Sequence, residues 1–124
     1  MQLVLVGIGG FAGAVLRWVV DGWVAERNPS AFPFGTLVIN LTGSFALGVL
    51  FAWVIERNVL PADVRLPLMV GFLGAYTTFS TFMLESWRLV ETGSVGLAIA
   101  NLAGSVGLGL VAVVLGLAVG RALP

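Results

Sequence analysis

Four apolar stretches separated by short polar breaks run the length of the chain. They cover residues 3–24, 35–55, 66–92 and 94–122. Each is long enough to cross a bilayer as a helix, which takes about 20 apolar residues. The pattern predicts an all-α membrane protein, one domain over 1–124 with four transmembrane helices. The breaks carry turn chemistry: Asn28-Pro29 and Phe32-Pro33 end the first helix, and Pro61 and Asp63 read as turn or cap residues. The first stretch has no basic leader and no cleavage signal after it, so a span is expected there and not a signal peptide.

The third stretch departs from the pattern. Over 71–82 it holds Gly71 and Gly74, which weaken a helix, and Thr77, Thr78, Ser80 and Thr81, whose hydroxyls compete for backbone partners. Phe79 and Phe82 are three apart and share a helix face. A helix broken in mid-membrane is the expectation. Non-helical backbone at that depth persists only where protein buries it or a wet cavity lines it. The patch suits either an ion site built from freed carbonyls or a packing contact between helices.

Polar residues recur at helical spacing elsewhere. Thr36, Asn40 and Ser44 form one stripe; Asn101, Ser105 and Gly109 form another. Thr36 and Ser44 can satisfy themselves on their own backbone, whereas the Asn40 amide needs an outside partner in lipid. Gly9/Gly13 and Gly116/Gly120 have the spacing that lets helices approach closely. Arg17, with Asp21 on the same face, either faces protein and water or snorkels beside Trp18 and Trp23. Glu85 and Arg88 read as a boundary pair, with contact at an ion exit as the lesser role for Glu85.

Composition excludes several classes. At 59% hydrophobic and 10% charged, the 124 residues cannot cover a water-soluble surface. Membrane lipid is therefore the surrounding partner. There is no cysteine and no histidine, which removes thiolate chemistry and the usual acid–base and metal-binding side chain. With no paired carboxylates in mid-span either, no enzyme is expected. The formal net charge is zero, so no nucleic-acid partner is implied.

The six basic residues are all arginine. In a four-span layout, Arg57, Arg65 and Arg121 fall on the side of the termini, and Arg17, Arg27 and Arg88 on or toward the other. Three against three gives insertion no preferred direction. Two copies inserted oppositely would form an antiparallel, dual-topology homodimer about a two-fold axis in the membrane plane.

Three ordered motifs carry a resemblance. Gly9-Gly-Phe-Ala-Gly-Ala-Val-Leu-Arg17 resembles the GGxxGAxxR opening of the Fluc/CrcB-type fluoride channels. Gly35-Thr-Leu-Val-Ile-Asn-Leu-Thr-Gly-Ser-Phe45 resembles their GTLxxNxxGSF motif. Gly71-Phe-Leu-Gly-Ala-Tyr-Thr-Thr-Phe-Ser-Thr-Phe82 is similar to GFxGxxTTFSTF, the most specific of the three. The resemblance implies antiparallel dimers with two fluoride pores and a central structural sodium ion. It assigns that sodium to the backbone carbonyls of Gly74 and Thr77. It assigns the pores to Asn40, Phe79 and Phe82, with Ser80 and Thr81 in the same motif and Ser105 on a fourth-helix polar track. Two positions depart from the family's pattern: Asn101, kept in the pore lining because its amide can still donate hydrogen bonds, stands where some relatives carry tyrosine, and Gly109 stands in place of a second serine. The resemblance further implies a multi-pass protein of the bacterial plasma (inner) membrane.

The chemistry of these residues agrees with it. Fluoride is strongly hydrated, and a pore must replace its water with good donors. Amide N–H, hydroxyls and the positive edges of aromatic rings do so without a full charge, which lets the ion leave again. The expected function is passive export of fluoride from the cytoplasm. The alternative is a small dual-topology proton-coupled exporter, which needs a carboxylate inside the membrane. Here Asp21, Glu26, Glu56, Asp63, Glu85 and Glu91 gather at span ends and loops. A purely structural assembly factor is the remaining fallback.

Overall fold

A computed structural model describes residues 1–124. Four helices long and apolar enough to cross a membrane make up the chain: Gln2–Arg27, Phe34–Glu56, Ala62–Glu91 and Val95–Ala122. It is a multi-pass membrane protein. Only 19 of the 124 residues are buried, and large apolar side chains such as Phe11, Trp18, Ile99 and Leu110 lie exposed. That inversion is what a chain immersed in hydrocarbon needs, because apolar surface there carries no penalty.

Two of the helices change winding along their length. The second is α-helical over Phe34–Leu50 and continues as a π-helix over Phe51–Glu56. The third opens with Ala62–Leu66, widens to a π-helix at Pro67–Leu73, and returns to α at Gly74–Tyr76. Pro67 accounts for the second widening: its ring obstructs the preceding turn and it has no N–H to donate. No proline explains the first. Helical bonding then lapses after Tyr76, where Thr77 is extended (φ −78°, ψ 158°), and resumes at Ser80–Glu91. Gly93, at φ 80°, makes the tight turn into the fourth helix.

Glycines set two close helix contacts. A β-carbon on Gly13 would lie 2.1 Å from the Phe72 carbonyl oxygen, and one on Gly9 2.3 Å from that of Pro67. The first helix thus lies backbone to backbone on the third. Between the second and fourth helices, a β-carbon on Gly116 would meet the Phe45 carbonyl at 2.2 Å, and one on Gly48 that of Val113 at 2.5 Å. Elsewhere on the fourth helix, a β-carbon on Gly104, Gly107 or Gly109 would meet nothing within 4 Å.

One end of the bundle gathers the termini. Gln2 Nε2 donates to Asp63 Oδ1 at 2.8 Å. Arg57 donates to the carbonyls of Leu123 and Arg121, and Arg121 pairs with Glu56 at 2.7 Å. The opposite end brings Asn28 and Pro29 beside Arg88 and Thr92.

Candidate functional site

The lapse in the third helix frees backbone groups that an unbroken helix would pair. In regular α-helix the Thr78 N–H would donate to the Gly74 carbonyl. Here it donates to Asn40 Oδ1 at 2.8 Å, and Asn40 Nδ2 donates back to the Thr78 carbonyl at 2.9 Å. One asparagine side chain therefore satisfies both backbone polar groups of Thr78, and it does so from the second helix. Its second amide proton is left over, since the amide has two.

The same substitution of partners recurs three residues later. The Thr81 N–H, which would go to the Thr77 carbonyl, donates instead to Thr78 Oγ1 at 3.3 Å, and Thr78 Oγ1 donates to Thr81 Oγ1 at 3.0 Å. Gly74 and Thr77 thus both lose their helical donors. The Thr77 hydroxyl itself is spent on the Leu73 carbonyl at 3.0 Å. Gly74 is exposed, and no neighbouring side chain crowds it.

A cleft of about 280 Å³ opens beside this point. Asn40, Ser44, Gly74, Thr77, Phe79 and Phe82 are in its lining, and no charged residue is. The rings of Phe79 and Phe82 meet edge to face, centroids 6.2 Å apart at 67°. Their surroundings differ sharply: Phe79 is 73% exposed, Phe82 6%. Phe79 stands at the start of the resumed helix, so it projects outward while Phe82 turns inward.

Across Thr78 lies a second, smaller cleft of about 210 Å³, lined by Arg17, Asp21, Thr36 and Thr81 among others. Arg17 is half-buried, lines this cleft and has no ion-pair partner. Asp21 sits over Gly35, where a β-carbon would come within 1.9 Å of its Oδ1. Ser80 is exposed and makes no side-chain hydrogen bond within the chain.

Several local expectations are corrected. Glu85 does not pair with Arg88; the Arg121–Glu56 contact is the chain's one salt bridge. Thr36 does not satisfy itself on its own helix but donates to Glu85 Oε1 at 2.9 Å, which joins the second helix to the third. Glu85 Oε2 is buried with no partner in the chain. The stripe 36/40/44 therefore splits between the two clefts.

The fourth-helix residues stand elsewhere. Asn101 is 1% exposed and lines neither cleft. Its Nδ2 donates to Ser86 Oγ at 2.9 Å, and Ser105 Oγ donates to its Oδ1 at 3.3 Å. Ser86 was not singled out in the sequence. Its only signal there is position: four residues after Phe82, where a serine can donate back to the Phe82 carbonyl, as it does at 2.7 Å.

The sequence is similar to those of known proteins along nearly its whole length. A protein named fluoride-specific ion channel FluC from Rhizobium meliloti (strain 1021) is 43% identical over 122 residues, covering 98% of both chains. One of the same name from Magnetococcus marinus is 46% identical over 121 residues, again 98% of each. The fluoride-specific ion channel FluC 1 of Symbiobacterium thermophilum is 46% identical over 121 residues, 97% of this chain and 98% of its own. A family described as "CrcB-like protein, Camphor Resistance (CrcB)" matches residues 4–117, which takes in all three motifs, both clefts and the interrupted helix, and the chain belongs to that family.

Proposed function

We propose that this chain is a passive, fluoride-selective channel that lets the anion leave the cytoplasm. The observation that carries the proposal is the uncharged cleft where Asn40 clamps Thr78 beside the Phe79/Phe82 edge pair. The names of its relatives point the same way. The left-over Asn40 N–H and the ring edges supply donor character without a fixed positive charge, so binding stays weak enough for release. Ser80 and Thr81 continue the path around the interruption toward the cleft of Arg17. Asn101 and Ser105 line neither cleft; they bond to each other, and Asn101 bonds to Ser86.

The working unit in this proposal is an antiparallel homodimer with two pores, and the interruption of the third helix lies at mid-depth. Equal arginine counts at the two ends support insertion in both directions. Gly74 and Thr77, relieved of their helical donors, fit a sodium ion shared between the two copies, because hard cations take oxygen ligands. When bound, such an ion offsets the cost of desolvating an anion nearby.

The test is fluoride efflux from liposomes holding the purified protein. Efflux of fluoride with chloride retained is expected; chloride efflux at a similar rate, or no fluoride efflux, overturns the proposal. One observation favours the proton-coupled alternative, namely the half-buried Glu85 with an unpartnered oxygen. Flux that follows an imposed pH gradient would select that mechanism over a passive pore.

A further inference from the structure

The polar atoms around Asn101 form a one-way chain of hydrogen bonds. Its amide nitrogen can only donate, and it donates to Ser86. Ser86 has one hydroxyl proton, which goes to the Phe82 carbonyl. Ser105 spends its single proton on the Asn101 oxygen. Both hydroxyl protons are thus spent, and the second Asn101 N–H belongs to a side chain that is 1% exposed and lines neither cleft. The chain ends on the backbone of Phe82, whose ring lines the uncharged cleft. A serine bonding back to its own helix fixes nothing outside that helix. The Asn101 bond is what ties the fourth helix to this turn. Buried Leu89 and Ala98, one turn from Ser86 and Asn101 respectively, surround the tie with apolar packing.

We infer that Asn101 is a positioning residue that holds Phe82 at the cleft through Ser86, and that it makes no contact with the conducted anion. This revises the pore-lining role that the resemblance implied for Asn101. The inference rests on the channel proposal and deepens it: the second ring of the aromatic pair is set by a buried amide on a different helix.

The experiment compares unitary fluoride currents in planar bilayers for wild type, Asn101→Ala, Ser86→Ala, the double variant and Ser86→Thr. Each single alanine variant should lower the unitary current by roughly threefold to tenfold, the scale of one buried hydrogen bond. The double variant should fall no further than either single one, because both break the same chain. Ser86→Thr keeps the hydroxyl and should restore the current. A normal current in Ser86→Ala beside a reduced one in Asn101→Ala would mean direct contact with the anion and overturn the inference. So would reductions that multiply, or melting temperatures that fall with unitary current unchanged. Should Asn101→Ala fail to fold, Ser86→Ala and Ser86→Thr still decide the matter. A wild type that passes no fluoride would defeat the channel proposal and the inference together, and is distinguished by failing before any variant is compared.

Discussion

Asn40 pairs with Thr78 as one β-strand residue pairs with another, its amide taking both the N–H and the C=O of a single residue. The pairing closes the gap in the third helix from outside and is therefore a structural part of the site as well as a source of a donor. Asn40→Asp keeps an acceptor for the Thr78 N–H but sets a carboxylate oxygen against the Thr78 carbonyl. A loss of about 2–3 kcal/mol is expected, together with loss of fluoride efflux. Thermal melting and a fluoride electrode on proteoliposomes read the two effects. Full efflux from a stable Asn40→Asp protein would show that Thr78 needs no clamp.

The two phenylalanines should separate under mutation. Phe82 is almost fully buried and Phe79 largely exposed within the chain. Phe79→Ile retains bulk but removes the ring edge. Efflux should drop by about tenfold or more, equivalent to about 1.4 kcal/mol of barrier, with little change in melting temperature. Phe82→Ala leaves a cavity as well and should cost about 3–5 kcal/mol. Equal stability losses at both positions would contradict the asymmetry.

How far the site could be read from sequence follows from which contacts are local. Four apolar runs and the weakness of 71–82 are properties of neighbouring residues, so both were legible. The pairing of Asn40 with Thr78 spans 38 residues, yet the demand for an outside partner was visible in the lone amide. Glu85 misled because Arg88 is near in sequence, while its actual partner, Thr36, is 49 residues away. Asn101 shows a related limit. A polar stripe on one helix does not say whether it faces a cavity or a neighbour, and the neighbour, Ser86, is brought round by the turn at Gly93.

Glycine substitutions should split by what lies opposite. Gly13→Ala drives a methyl into the Phe72 carbonyl and the Tyr76 nitrogen, both backbone atoms that cannot swing aside. The first helix must move off the third, at a cost of about 1–3 kcal/mol. Gly22→Ala, on the same helix, meets nothing within 4 Å and should be neutral or slightly stabilising. Melting temperatures of the two variants in one detergent make the comparison. Equal effects would mean that the contact between the helices is looser than the structure shows.

Gly93 tests the turn that aligns the fourth helix. At φ 80° it occupies a region that side chains disfavour, although no atom crowds it. Gly93→Ala should therefore cost about 1 kcal/mol through backbone conformation alone, and Gly93→Asn less, since asparagine tolerates that region better. The ranking Gly, then Asn, then Ala in melting temperature is the expected result, and an unaffected Ala variant would place the turn in another conformation.

Thr36 and Glu85 provide the last test, because the bond between them joins two helices next to the cleft of Arg17. Thr36→Val preserves shape and removes the one donor that the structure gives the Glu85 carboxylate. Breaking a hydrogen bond to a charged group costs about 1.5–3 kcal/mol. Glu85→Gln keeps an oxygen for the Thr36 hydroxyl, so it should retain most of that bond while losing the charge. If the bond is what matters, Thr36→Val destabilises more than Glu85→Gln, and the double variant loses less than the sum of the two, with a coupling of about 1 kcal/mol. If the charge matters for transport, Glu85→Gln alone changes efflux while its melting temperature stays near wild type. Additive losses in melting, with efflux unchanged in every variant, would mean that the two groups act independently.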